Sequence, residues 1–424
     1  TNYTSLQDAL NTAAATVGST TVELLADVDL TGQNWTSVSV NQHTTNGIGT
    51  VTLKGNNKTI TGLSAPLFGY STGGASGIVI ENLTLKGVNI NFTAYPGVGA
   101  FISAACEVTI VTLSNCHVDG GSITGSCTGT GGLIGYTCGY ATDNYLPVTI
   151  TNCTVKGLSI NGSNSVGGLI GHAGANPATY TTITNCAVTG CTLTSNSTSD
   201  WRVGDLIGTA NIGQVKVDQS TVTSTSGNTR SQNGESGDGI EKGLVGRAAL
   251  GDTGILNVAG SVHYSDKTVA IVKGSNGTVK SQHDSLAGAV NAALDNETVM
   301  LVKDVTLSDA VTVNKSITID GGGKTITSDG TPATMLQIQG EGELNPVTIK
   351  NCTFVTHNSS ENNDTWCGIY VQNTVKNLTI DNNTFTIRAT SDEHGMFQCI
   401  GLEYRTGRVT KNVTITGNTV NDTH

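Results

Sequence analysis

The chain has 424 residues, among them 54 Gly and 6 Pro, with 12% charged and 4% aromatic side chains and a net charge of -11. Its 21 Lys and Arg form no basic run, which excludes the clustered cations that a nucleic-acid backbone or an anionic membrane surface requires. No stretch of 18 apolar residues occurs, so no membrane-spanning helix is expected.

In chain order, the first predicted element is an amphipathic helix. Leu6, Ala9, Leu10, Ala13, Ala14 and Val17 share one face, and Thr4 with Gln7 reads as a capping box. Short β-branched runs broken by Gly and Asn follow, the chemistry of strands and corners. Then a phrase recurs. Gly131-Gly132-Leu133-Ile134-Gly135 returns as Gly167-Gly168-Leu169-Ile170-Gly171, as Gly204-Asp205-Leu206-Ile207-Gly208 and as Lys242-Gly243-Leu244-Val245-Gly246. Looser copies precede it at Ala65-Pro66-Leu67-Phe68-Gly69 and Gly99-Ala100-Phe101-Ile102-Ser103. The apolar anchors Leu67, Phe101, Leu133, Leu169, Leu206 and Leu244 are 34, 32, 36, 37 and 38 residues apart. Such a period is the mark of a solenoid.

One repeat supplies one coil. Val148 and Ile150 alternate, Asn152 turns, Cys153 and Val155 alternate, Lys156-Gly157 turns, and Leu158 and Ile160 alternate. A Gly-Gly-Leu-Ile-Gly strand completes the coil, with rungs ~4.8 Å apart. Asn82, Asn115, Asn152 and Asn185 are predicted to stack as an amide ladder at one corner, because Asn tolerates a left-handed backbone. Cys116, Cys153 and Cys186 hold one slot in successive repeats, and Cys352 the same slot later. Parallel side chains are poor disulfide geometry, so most of the ten Cys are expected to be unpaired core thiols. No Cys-x-x-Cys spacing exists, and His43, His117, His172 and His263 are scattered, so neither metal nor cofactor is expected.

Farther on, the opening is duplicated. Ser285-Leu286-Ala287-Gly288-Ala289-Val290-Asn291 matches Ser5 to Asn11, Val299 to Val305 matches Val22 to Val28, and Lys324-Thr325-Ile326-Thr327 matches Lys58 to Thr61. A second amphipathic helix is predicted from Leu286, Ala289, Val290, Ala293 and Leu294. The expected fold is therefore all-β: a right-handed parallel β-helix in two tandem modules, 1–275 and 279–424, each capped by a short N-terminal helix. Gly274-Ser275-Asn276-Gly277 reads as the junction, and Gly321-Gly322-Gly323-Lys324 as a β-turn without the spacing of a phosphate loop. The chain begins at Thr1 and stops within a further repeat, Asn412 to Val420, and is expected to be a trimmed or processed piece of a longer protein.

Several motifs then stand in order: Asp29-Leu30-Thr31-Gly32-Gln33-Asn34-Trp35-Thr36, Gly55-Asn56-Asn57-Lys58-Thr59-Ile60-Thr61-Gly62-Leu63, Leu67-Phe68-Gly69, Glu81-Asn82-Leu83-Thr84-Leu85 and the glycine phrases. With them, residues 20 to about 260 resemble the bacterial surface proteins that carry GLUG repeats. The second module is similar to the β-helix repeats of pectate-lyase-like proteins. The GLUG resemblance implies an extracellular, cell-wall-associated solenoid in a large surface protein, an adhesin or a spacer, without shared catalytic residues. Asp205 and Lys242 depart from the pattern, which predicts irregular final coils.

Two charged insertions are candidates for chemistry. In the second module, Glu361, Asp364, Trp366, Asp392, His394, Glu403, Tyr404 and Arg405 come from successive coils and could form a glycan groove with aromatic platforms. In the first, Trp201 could stack a sugar while Asp200, Arg202 and Asp205 bind it. The competing reading of both is a solvated loop surface. No catalytic residue is assigned. The expected function is a non-catalytic adhesin or stalk binding glycans or host surface proteins. The alternatives are a polysaccharide lyase or glycoside hydrolase with its groove on the second module, and a purely structural spacer.

Overall fold

The computed structural model describes the chain outside residues 1–4, 41–48, 72–76, 94–95, 107–109, 139–146, 175–179, 212–213, 218–223, 238, 241–242, 251–253, 259–260, 266, 329–333, 341, 359–365, 373, 390–396, 404–406, 408–409 and 423–424. It is a β-solenoid that divides into two compact units, Thr1–Ser265 and Asp266–His424. The described residues hold two helices, neither long and apolar enough to cross a membrane.

In the first unit, the helix Leu6–Ala15 packs on the first strand, Thr20–Glu23, with Ala9, Leu10, Ala13 and Ala14 buried. Its cap differs from the predicted one. Thr4 lies outside the described residues, and Ser5 is the N-cap, its Oγ accepting from the Asp8 N–H at 3.3 Å. Val17 lies beyond the helix and is 63% exposed, because the chain turns extended at Thr16. In the second unit the helix Leu286–Ala292 has Ser285 as its cap, and Leu294 is likewise outside the helix and exposed. Each helix covers apolar strand residues that an open end would leave in water.

Parallel strands stack in register behind each helix. In the first unit Leu53, Ile80, Leu113, Ile150, Ile183, Val217 and Val258 form one fully buried column. Each side chain contributes about 2 kcal/mol by leaving water. The Asn corner is built as its sequence implies. Asn82, Asn115, Asn152 and Asn185 all have φ between 52° and 56°, and Asn115 Nδ2 donates to Asn82 Oδ1 at 2.9 Å. A matching ladder in the second unit runs Asp320, Asn351, Asn382, with links of 2.9 and 2.8 Å.

Beside it lie the thiols. Cys116, Cys153, Cys186 and Cys352 are buried and free. The side-chain hydrogen bond with its neighbour Cys116 and burial push the Cys153 thiol up to about 12, and burial beside Asp320 does the same for Cys352. Such thiols stay protonated and act as small apolar fillers.

The glycine phrase is an arch, not a strand. Gly129–Gly131 and Ile134–Cys138 are separate strands in different sheets, joined by a bend at Gly132 and Leu133. Leu133 and Ile134 enter the core, while the flanking glycines let the two sheets touch backbone to backbone. A Cβ on Gly131 would stand 2.1 Å from the Ile134 carbonyl oxygen, and one on Gly135 2.1 Å from the Val98 nitrogen.

The coils carrying Asp205 and Lys242 keep the register: Gly204 pairs with Gly167, Ile207 with Ile170 and Val245 with Ile207. The unit closes with an antiparallel strand, Ser261–Tyr264, along its last parallel strand. Gly274–Gly277 is not a junction. It turns a hairpin between Ala270–Lys273 and Val279–His283 inside the second unit, closed by Gly277 N–H donating to the Gly274 carbonyl at 2.8 Å. Gly322 and Gly323 form the expected turn, with φ of 56° and 75°.

Candidate functional site

Of the residues expected in the second-unit groove, Glu361, Asp364, Asp392, His394, Tyr404 and Arg405 lie outside the described residues. Trp366 opens the strand Trp366–Val371, and its backbone is paired with Phe397. The strands Trp366–Val371 and Phe397–Leu402 thus lie one rung apart. Glu403 follows on the second of these, half-buried, its N–H donating to the Val371 carbonyl at 2.9 Å.

The first-unit candidates are described in full, and they separate into two places. Asp205 faces the core. Its position is that of Gly168 in the preceding coil, where a Cβ would stand 2.6 Å from the Val188 side chain. In the Asp205 coil the core has changed to receive it: Thr225 replaces Val188 and Arg230 replaces Leu193. Arg230 Nη1 lies 3.1 Å from Asp205 Oδ2, and both side chains are largely buried. The guanidinium fills the space above Gly243, where a Cβ would be 1.7 Å from Nη1. Burial lifts the Asp205 carboxyl above the ordinary range, with Arg230 pulling against it. Asp205 is therefore half of an internal ion pair, and it does not join Asp200 and Trp201.

Asp200, Trp201 and Arg202 form a bend clamped by Gln232. The Gln232 amide nitrogen donates to the carbonyls of Ser199 and Asp200 at 2.7 and 3.1 Å, and its oxygen accepts from the Arg202 N–H at 2.7 Å. Trp201 Nε1 donates to the Val203 carbonyl at 2.8 Å, and Gly237 lies against the indole face. Arg202 Nη1 donates to Asn164 Oδ1 at 2.9 Å. Asp200 reaches Arg247, with 3.1 Å between Oδ2 and Nη2.

Arg247 ends a column read from the residue that follows each arch: Tyr136, His172, Thr209, Arg247. The Tyr136 and His172 rings stack with centroids 4.6 Å apart. His172 is 7% exposed. Asn211 Nδ2 contacts its Nε2 at 3.3 Å, which makes Nε2 the acceptor and puts the proton on Nδ1. That Nδ1 is buried without a hydrogen-bond partner, as is Arg202 Nε. Burial, then the charges of Arg202 and Arg247, depress the imidazole to about 4. Arg247, Tyr136 and His172 were missed as site residues because a lone His or Arg in a Thr-rich chain carries no signal. Aligning the repeats on their last glycine brings the column out.

A buried neutral imidazole makes stability depend on pH. The folded His172 binds its proton near pH 4 and the unfolded one near 6.5. Its contribution is therefore intact above pH 6.5 and lost as pH falls toward 4, by about 3 kcal/mol in all. Urea unfolding at pH 7 and pH 4.5 should show a smaller acid loss in His172→Phe than in the parent chain. Equal losses would refute the assignment.

Arch, ladder and column lie in one stretch of sequence, and it is there that a known family is recognised: the model of the GLUG motif matches residues 162–194. The chain carries a GLUG motif. The matched GLUG segment includes Asn164, the arch Gly167 to Gly171, His172 and Cys186. No curated protein matches the chain. Among solved structures, a candidate immunoglobulin A1 protease from Bacteroides ovatus is 13% identical over 64% of this chain and 89% of its own, with a TM-score of 0.33. An alginate lyase of family PL6 is 11% identical over 97% of this chain and 79% of its own, with a TM-score of 0.24. At those scores neither likeness carries an argument about this GLUG-bearing chain.

Proposed function

We propose that this chain is a segment of a larger bacterial cell-surface protein, acting outside the cell as a non-catalytic adhesin or stalk. On this reading its coils wind as two tandem right-handed β-helices, the hand that strand twist favours for parallel crossovers. The observation that carries the reading is the parallel register that links the first unit's strands from Thr20–Glu23 to Ile255–Val258, shifted between Lys54 and Lys58. A stack of that kind is stiff and extends by repetition. Its outward column of Thr52, Val79, Thr112, Thr149, Thr182 and Lys216 offers mainly hydroxyls and a single charge. The GLUG motif is the second support, since that repeat resembles those of surface proteins.

The ligands proposed are glycans or host surface proteins, taken by the second-unit groove of Glu361, Asp364, Trp366, Asp392, His394, Glu403, Tyr404 and Arg405. A glycan array on the purified chain tests this, followed by reducing-sugar and unsaturated-product assays on each glycan bound. Binding without turnover, weakened at least tenfold by Trp366→Ala or Tyr404→Ala, is the expected result. Turnover would replace the adhesin with a lyase or hydrolase, and silence in every assay would replace it with a spacer or a protein-binding stalk.

A further inference from the structure

We propose that Arg202, Arg247 and His172 form a binding site for one oxyanion carried on a saccharide, a uronate carboxylate or a sulfate ester. The inference rests on the glycan-binding reading above and adds a second site, on the first unit, with a stated ligand chemistry.

Three observations converge. The register sets Arg247 two rungs beyond His172 in one column, with Thr209 between them. Arg202 comes from the facing sheet, where Val203 pairs with Val166 and the Arg202 carbonyl accepts from the Val166 N–H at 2.9 Å. Its charge and that of Arg247 act on each other and on His172, so the three groups share one locality. Like charges repel, and a chain with a net charge of -11 that places two of its few cations together has arranged a local positive field against its own average.

Second, the donors exceed the acceptors. Asn164 Oδ1 takes one Arg202 N–H and Asp200 takes one from Arg247. Two buried donors remain, the Nδ1–H of His172 and the Nε–H of Arg202. A buried donor left unmatched costs about 1–3 kcal/mol, so the pair stores a preference for an added acceptor. Third, Asp200, the carboxylate paired with Arg247, is 72% exposed and can swing away, whereas Gln232 holds the backbone of the bend in place. An oxyanion offers several lone pairs in the geometry that guanidinium forks accept. A saccharide carries such a group on a body that presents a ring face, and the Tyr136–His172 stack provides the ring wall.

The test is binding of a sulfated hexasaccharide, an oligogalacturonate and uncharged maltohexaose to the full chain, with sodium sulfate titrated separately against sodium chloride at equal ionic strength. Arg202→Gln, Arg247→Gln and His172→Phe are compared with Lys216→Gln, an exposed cation on another sheet. His172→Phe keeps a ring on Tyr136 and removes the donor. At least one acidic saccharide should bind, and each arginine variant should weaken it tenfold or more. His172→Phe should weaken it severalfold, and Lys216→Gln by less than twofold. The acidic saccharide that binds identifies carboxylate or sulfate as the group. Sulfate binding lost in the arginine variants, with no saccharide bound, would keep the oxyanion site and remove the glycan reading. Glycan binding that survives both arginine variants would keep the adhesin and overturn the site. Equal losses in Lys216→Gln would reduce the effect to general charge attraction and overturn it as well, as would failure of every acidic probe. Circular dichroism of each variant separates lost binding from lost fold.

Discussion

Asp205→Gly is expected to destabilise the first unit by about 3–5 kcal/mol, although it restores the repeated Gly-Gly-Leu-Ile-Gly phrase. The substitution removes the partner of Arg230 and leaves a guanidinium inside a solenoid core, where it lies 3.1 Å from the lost carboxylate and directly over Gly243. Arg230→Leu alone leaves the opposite charge stranded and should cost a similar amount. The double variant Asp205→Gly, Arg230→Leu rebuilds the preceding coil, in which Gly168 and Leu193 hold these positions, and should recover most or all of the loss. Urea unfolding followed by tryptophan fluorescence gives the four stabilities of the cycle. A coupling below about 1 kcal/mol would show that the two side chains do not act as a pair. The pair matters for more than stability. An ion pair at a defined depth accepts one register of the stack and rejects a slip, which would separate the charges.

The architecture was legible because a solenoid writes one coil many times. The helix faces, the Asn corner and the Cys slot each depend on contacts that repeat at a fixed interval, so spacing alone reveals them. Three features were illegible for identifiable reasons. The glycine phrase reads as a strand because Leu133 and Ile134 are strong strand formers, yet the chain must bend there, and the approach of two backbones explains a glycine at the last position in five of the six copies. Asp205 reads as a solvated charge because its partner, Arg230, is 25 residues away in a segment with no matching phrase. Ser5 and not Thr4 caps the first helix, since both are followed three residues later by a polar side chain, Gln7 or Asp8, and propensity cannot choose between them.

The candidate site follows the same division. Asp200, Trp201 and Arg202 stand out as an acidic, aromatic and basic cluster in a chain poor in all three. Their chemistry depends on Gln232, Asn164, His172 and Arg247, which lie in other coils and are brought in by stacking. A coil-by-coil alignment shows the drift from Tyr136 through His172 and Thr209 to Arg247 on one column. The positions of this column thus vary in residue type from coil to coil while Leu, Ile and Gly around them keep the coil.

The substitution that best separates scaffold from surface is Gly171→Ala. A Cβ there would meet the Thr130 nitrogen at 2.3 Å, the Gly129 carbonyl carbon at 2.6 Å and the Gly135 carbonyl oxygen at 2.7 Å. All three are backbone atoms of strands fixed by their own ladders, so no side chain can move aside. The two sheets must part, and parting them breaks rung hydrogen bonds on either side. The expected cost is about 3 kcal/mol or more, at the upper end of what overpacking produces. Gly157→Ala is the control. Gly157 has φ of 61° and nothing within 4 Å of an added Cβ, so it pays only the strain of a left-handed backbone, about 1 kcal/mol. Thermal unfolding of both variants should therefore rank Gly171→Ala well below Gly157→Ala. The reverse order would mean that the glycines serve corner conformation and not sheet contact, and the arch would lose its explanation. The expected order has a functional corollary. His172 is the next residue after Gly171, so parting the sheets at the arch should also disperse the Arg202, Arg247 and His172 cluster, whereas Gly157→Ala should leave acidic-saccharide binding unchanged.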